Sequence, residues 1–366
     1  MQYGATPHLE QATLEARRAG GPRYSTEPRR TLSRPPSKLG GLAGPATIDA
    51  VLLIAFGGPT APHEIRPFLE VVTRGRRIPL ERLEAVARHY EQMPGGRSPL
   101  NELTDAQARA LAAALAAEGS ALPVFVGMRN WRPWLRDTLA AMAAHGHRRV
   151  LGVILSPLRT EASWERYMAD VAQARAAIPE APDVVFAPAW FDHPGFVEAV
   201  ADRCRQAFAQ VPAAARGETP LVFTAHSVPV AMAAASPYVA DFTAASRQVA
   251  SRLGHERWSL AYQSRSGSPG EPWLEPDIND VARALAREGA RHVVVAPIGF
   301  VCDHVEVLYD LDVEACATAR AAGLALHRAP AVNDHPAFIA ALAEIVRRHV
   351  NGPGVTPQAG PGAGRR

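Results

Sequence analysis

Lysine is almost missing from this chain: among 366 residues there is one, Lys38, in an N-terminal stretch rich in Arg, Pro, Gly and Ser. The remainder has no Schiff-base, phosphate-loop or kinase-type lysine, and those chemistries are excluded there. Cysteine is scarce as well. Cys204, Cys302 and Cys316 are widely spaced, which suits reduced thiols in a cytosolic protein better than a disulfide framework. Three thiols are also one short of a four-thiolate iron–sulfur cluster. No apolar run approaches the ~18 residues of a membrane span, and the N-terminus lacks the charged-then-apolar order of a signal peptide. Glu10, Glu15 and Glu27 argue against an organelle transit peptide. The expectation is a soluble, cytoplasmic protein. Lys+Arg 39 against Asp+Glu 36 leaves a formal charge of +3, too balanced for a nucleic-acid footprint. Missing too is a G-x-G-x-x-G after the first strand-like run, so Gly57-Gly58-Pro59 is a weak dinucleotide signal.

What is present is enough for a large core, with 47% hydrophobic residues. Residues 1–47 read as a disordered Arg/Pro-rich arm without apolar periodicity. Beyond it, short apolar runs alternate with helical patterns. Ala50–Phe56, Leu122–Gly127, Val150–Leu155 and Asp183–Ala187 are strand-like, and a second set follows at Leu221–Ala225, Trp258–Tyr262, His292–Pro297 and Leu324–His327. Such alternation predicts parallel sheets with helical crossovers. The fold expected is α/β: a four-stranded, doubly wound half over 48–190, a similar one over 191–332, a helix over 333–350 and a disordered tail at 351–366. The cleft between the halves is the default site.

The polar groups of interest follow strands. Gly299 to Glu314 comes directly after the apolar run ending at Ile298. A helix capped at Asp303 and running to about 321 would set Glu306, Asp310 and Glu314 at i, i+4 and i+8, one acidic stripe on one face. Two readings stay open: a solvated face at a helix start, favoured by the macrodipole, or a carboxylate track for a cation with His304 and His226 as softer ligands. His226, in Thr224-Ala-His-Ser-Val-Pro229, ends a strand at the same sheet edge as Glu306. A lone histidine there either satisfies a turn carbonyl or serves as a base. Adjacent Ser227 points to the other side of the strand and has no G-x-S-x-G elbow, which disfavours a hydrolase. The loop Gln263–Asp277 carries Trp273, an anchor or a wall for a flat apolar ligand. Its counterpart from Ser156 to Tyr167 supplies Arg159, Ser163, Trp164, Arg166 and Tyr167. Arg74-Gly75-Arg76-Arg77 reads either as a solvated loop or as a reader of carboxylates at a pocket mouth.

The order of these pieces carries a resemblance. Ala-His-Ser-Val-Pro, then Tyr-Gln-Ser with Pro-Trp-Leu-Glu-Pro-Asp, then Pro-Ile-Gly-Phe-Val-Cys-Asp-His-Val-Glu-Val-Leu-Tyr-Asp resembles the ferrochelatase family, which inserts ferrous iron into porphyrins in heme biosynthesis. Phe56-Gly-Gly-Pro, Gly95-Gly-Arg-Ser-Pro-Leu-Asn-Glu-Leu-Thr and Phe125-Val-Gly-Met-Arg fit it too, so the likeness covers about residues 50–350. The resemblance implies a lyase of class II chelatase type with two Rossmann-like halves. His226 would accept pyrrole protons and ligate iron transiently, opposite Glu306; Asp310 and Glu314 would extend the metal path, and Asp303 and His304 would orient Glu306. Phe56, Arg74, Arg76, Arg77, Ser163, Tyr167, Gln263 and Trp273 would contact the porphyrin. Fe2+ enters as substrate; no tightly bound cofactor or iron–sulfur cluster is expected. Peripheral membrane contact and transient contact with other heme-pathway enzymes also belong to this implication. A related chelatase for another metal and tetrapyrrole, or a heme or metal carrier, would share the scaffold. The sequence departs from the family pattern at Ser156-Pro-Leu158, where many members carry His, and at Phe56, where some carry Tyr. The segment between Gly57 and Gly95 is short and basic: members acting on protoporphyrin commonly carry a longer apolar lip there, whereas those acting on coproporphyrin resemble this length, so coproporphyrin III, with its four carboxylates, stands as a candidate substrate beside protoporphyrin IX.

Overall fold

The computed structural model describes residues 47–75, 78–266 and 270–351. The arm and tail expected at the two ends fall outside these residues, apart from Thr47 and Asn351.

In chain order the elements are β1 (Ala50–Ala55), α1 (Ile65–Val72), α2 (Leu80–Glu91), α3 (Leu100–Ala117), β2 (Val124–Met128), α4 (Leu135–Ala144), β3 (Arg149–Ile154), α5 (Arg166–Ala176) and β4 (Asp183–Phe186). The second set is α6 (Pro194–Ala209), β5 (Leu221–His226), α7 (Val230–Ala234), α8 (Tyr238–Leu253), β6 (Trp258–Gln263), α9 (Ile278–Arg287), β7 (His292–Ala296), α10 (Val305–Val307), α11 (Cys316–Ala321), β8 (Ala325–Arg328) and α12 (Pro336–Asn351). The strands form two four-stranded sheets of orders β2-β1-β3-β4 and β6-β5-β7-β8, all parallel. The α/β class and paired sheets are those expected from the alternating pattern.

Burial explains the strand runs. All six residues of β1 are buried, as are the first five of β5, because parallel strands are covered on both faces. Each fully buried Val, Leu or Ile contributes about 1.5–3 kcal/mol relative to exposure. One hydrophobic cluster contains Leu53 and Val153 of the first sheet, Phe223 and Val294 of the second, and Phe338 and Leu342 of α12. In each sheet the chain lays its second strand on one side of the first and its third on the other. The switch points therefore lie between β1 and β3 and between β5 and β7, where crevices open at strand C-termini.

The helix expected from 303 to 321 is a composite. His304, rather than Asp303, is the N-cap: its Nδ1 accepts from the Glu306 amide at 3.2 Å. Only Val305–Val307 is α-helical before a π-helical segment, Leu308–Ala315, and α11 completes the run. Four residues overshoot a 3.6-residue turn, and the wider π turn takes up that excess. A second π-helical segment, Glu161–Glu165, precedes α5.

Candidate functional site

His226 is the last residue of β5 and Glu306 lies on α10, just past β7, so the two straddle the switch point of the second sheet. Gly299 makes their approach feasible. Its amide donates to the Thr224 carbonyl at 3.0 Å, and a Cβ there would meet Ala225 Cα at 2.8 Å, so the loop after β7 could not lie this close with any other residue.

The His226 Nδ1 makes a short contact with the Ser227 carbonyl. A carbonyl can only accept, so Nδ1 carries a proton, and it is Nε2 that faces Glu306. Tyr238 fixes the strand end by donating its hydroxyl to the His226 carbonyl at 2.7 Å. Nε2 stands 3.7 Å from Glu306 Oε1, with side-chain exposures of 29% and 42%. That gap is too long for a direct hydrogen bond. First-row divalent ions bind nitrogen and oxygen at about 2.0–2.2 Å, so one cation bent between the two atoms matches it.

Glu306 is held by its backbone: its amide by His304, and its carbonyl by Gln263 Nε2 at 2.6 Å. Burial lowers the His304 pKa, opposed by Glu306 and Asp303. Farther along the stripe, Asp310 accepts from the Ser264 hydroxyl. Burial, with Glu306, Glu314 and Asp277 as negative neighbours, pushes Asp310 up to about 8 against that hydrogen bond. Glu314 is raised too, by burial and Asp277, with Arg82 opposing. The three carboxylates follow one another along the segment. Among the described residues no three or more His, Cys, Asp or Glu groups form a metal-holding cluster.

Other expected residues are placed as follows. Asp303 is tied to Arg328, Asn333 and the Ala331 amide. Gln263 is buried, its amide given to Glu306 and its Oε1 unpartnered. Ser163 donates to the Leu158 carbonyl at 2.7 Å and accepts from the Thr160 amide at 2.9 Å, so its hydroxyl is engaged locally. Tyr167 is buried beneath Arg129, whose guanidinium carbon lies 5.0 Å from the ring centroid. Phe56, 39% exposed, meets Phe68 edge-on at 6.4 Å. Trp273 lies on a loop that pairs back with Val228–Val230 and donates to Glu271 at 3.2 Å. Arg74 is exposed after α1; Arg76 and Arg77 lie outside the described residues.

Sequence reasoning passed over several residues of this neighbourhood. Tyr90 and Tyr238, like the expected Tyr167, feel the Glu306 charge, and burial drives each phenol pKa up. Arg129 pairs with Asp170 and follows β2 at the C-terminal edge of the first sheet, as Phe56 follows β1, which was the available signal. The α1–α2 hairpin forms its own cluster, with Phe68, Leu69 and Tyr90 packed against Trp131, Val305 and Tyr309. Stacking of His89 on Tyr309 at 3.6 Å completes this bridge between the halves. Among the described residues no helix is long and apolar enough to cross a membrane.

The chain is 45% identical over 310 residues to the coproporphyrin III ferrochelatase of Mycolicibacterium smegmatis, covering 84% of this chain and 91% of that protein. It is 46% identical over 314 residues to the coproporphyrin III ferrochelatase of Frankia alni, covering 82% and 79%. Among solved structures, SirB from Bacillus subtilis with Fe3+ superposes with a TM-score of 0.52 at 12% identity, over 83% of this chain and 96% of that one. The last likeness shows the class II chelatase architecture alone. The Ferrochelatase family model matches residues 48–350, and the chain belongs to the ferrochelatase family.

Proposed function

We propose that this protein is a lyase that inserts Fe2+ into coproporphyrin III to give coproheme in heme biosynthesis. The observation that carries the reading is His226 Nε2 held 3.7 Å from Glu306 Oε1 at the crevice of the second sheet, with Nδ1 engaged by the Ser227 carbonyl. Metallation replaces two pyrrole protons by one divalent ion, so the site must accept protons and supply a cation at one place. His226 Nε2 takes a pyrrole proton as a neutral base. Glu306 brings the ion to the ring and, once its carboxylate has released the ion, takes the second pyrrole proton, with Asp310 and Glu314 as the approach. His304 keeps Glu306 in place through its amide. Iron is substrate here, and no step calls on an organic cofactor or an iron–sulfur cluster.

The choice of porphyrin rests on the two similar coproporphyrin III enzymes and on the basic Arg74–Arg77 segment, which suits a substrate with four carboxylates. Phe56 and Trp273 supply apolar wall. The test is anaerobic insertion of ferrous iron by the purified protein, with coproporphyrin III and protoporphyrin IX in parallel. Turnover of coproporphyrin at a kcat/KM at least about tenfold higher supports the reading. Preference for protoporphyrin would overturn the substrate assignment, and metallation of neither would overturn the enzyme.

A further inference from the structure

Strand β8 ends in Arg328, whose guanidinium reaches two carboxylates of the segment that carries Glu306. Nη1 donates to Asp303 Oδ1 at 2.8 Å, while Nε and Nη2 grip Asp312 at 2.5 and 3.0 Å. Only 14% of the Arg328 side chain is exposed. A buried guanidinium is costly unless its donors are met, and this fork meets them on both sides. Asp303 lies just ahead of the His304 cap. Asp312 lies inside the π-helical segment, two residues from both Asp310 and Glu314. Two residues are about half a turn, so Asp312 leaves the helix on the side away from the stripe.

The Asp303 end is itself fixed. Its amide donates to Asn333 Oδ1 at 2.9 Å and its Oδ2 accepts from Asn333 Nδ2 at 2.8 Å. Asn333 sits in the left-handed region at φ 48°. Its carbonyl, at 2.9 Å, and that of Val301, at 3.2 Å, both accept from Gln107 Nε2 of α3, in the first half. The frame that holds the head of this segment thus begins on a helix of the first half.

We infer that Arg328 is a positioning residue for iron delivery: by linking Asp303 at the head of the segment to Asp312 on its back, it sets the rotation of the helix and keeps Glu306, Asp310 and Glu314 aimed along one path. The inference rests on the reading of this cleft as the metallation site. It predicts that Arg328 touches neither iron nor porphyrin yet governs how iron is taken up.

The experiment compares Arg328→Met, Arg328→Lys, Asp312→Asn and the double variant Arg328→Met with Asp312→Asn against the parent protein. Ferrous iron KM and coproporphyrin KM are measured separately, and Co2+ binding to porphyrin-free protein is followed by its visible absorption. Arg328→Met should raise the iron KM and the Co2+ dissociation constant together by about tenfold or more, leaving coproporphyrin KM within about twofold. Asp312→Asn should act in the same direction, Arg328→Lys should restore part of the loss, and the double variant should be no worse than Arg328→Met, because one link is broken in each. Unchanged iron KM and Co2+ affinity in a folded variant would overturn the inference, as would a parallel loss for both substrates or additive effects in the double variant. If Arg328→Met does not fold, Asp312→Asn alone decides, since Asp312 is 39% exposed. If the parent protein binds Co2+ but metallates no porphyrin, the enzyme reading fails, and the Co2+ measurements still judge the clamp.

Discussion

The two halves repeat one scaffold and put different chemistry on it. Each sheet has the same strand order, and in each half a π-helical segment follows the third strand, Glu161–Glu165 after β3 and, beyond the short α10, Leu308–Ala315 after β7. In the first half that segment is closed in on itself. Thr160 and Ser163 form a reciprocal capping box, Trp164 is buried with its indole on the Ser156 carbonyl, and Tyr167 is buried one turn on. In the second half the equivalent region projects Glu306, Asp310 and Glu314, and the polar ties are spent on its back and ends, through Arg328, His304 and Gln263. The same position in the two halves thus carries buried aromatics in the first and a run of carboxylates in the second, and under the proposed function only the second would serve as a metal path.

The sharpest way to break this division of labour is to remove the base that only the second half carries. His226→Ala should lower kcat for iron insertion by about 10²–10⁴, the usual range for a positioned acid or base, while coproporphyrin affinity measured by fluorescence titration changes little. Near-normal kcat would move the proton step away from the second half. A large loss of porphyrin affinity would instead make His226 part of the wall.

The pH profile comes next in size. With Asp310 pushed up to about 8, its carboxyl is mostly protonated at neutral pH, and a metal must displace that proton. Iron KM should therefore fall as pH rises from 6 to 8, and Asp310→Asn should flatten the profile. Stability runs the other way. A group whose folded pKa lies above its ordinary carboxylate value binds a proton more tightly in the native state, so its contribution diminishes as pH climbs through that range to about 8. In Asp310→Asn the thermal midpoint should accordingly depend less on pH between 6 and 8. An unchanged iron profile would show that Asp310 lies off the path.

The strands and the strand-end placement of the site were legible because parallel strands are continuous apolar runs and because crevices form at the switch points where those runs end. That rule put His226 and Glu306 at one sheet edge; the roles expected of them and of the stripe came from the family resemblance. The extra turn width in Leu308–Ala315 was not legible, since a 4-residue spacing fits an α-helix and a π-helical segment alike; nor was the cap, because Asp303 is the commoner capping residue and the competing pull of Arg328, Asn333 and the Ala331 amide comes from residues 25 to 30 positions later. Gln263 shows the same limit. The resemblance made this last residue of β6 a porphyrin contact, and the fold buries it against the Glu306 carbonyl, a contact between segments that no local pattern announces.

Ser163 offers the finest test of the comparison, because the resemblance makes it a porphyrin contact while the first-half loop uses both capacities of its hydroxyl. If the loop is a closed cap, Ser163→Ala removes half of the capping box and should cost about 1 kcal/mol, a fall of about 2 °C in thermal midpoint for a chain of this size. Coproporphyrin KM should stay at the parent value, since no hydroxyl was facing the ring. A raised KM with an unchanged midpoint would reverse the assignment: the first half would then present a polar hand to the substrate, and its difference from the second would be one of charge rather than of wall against path.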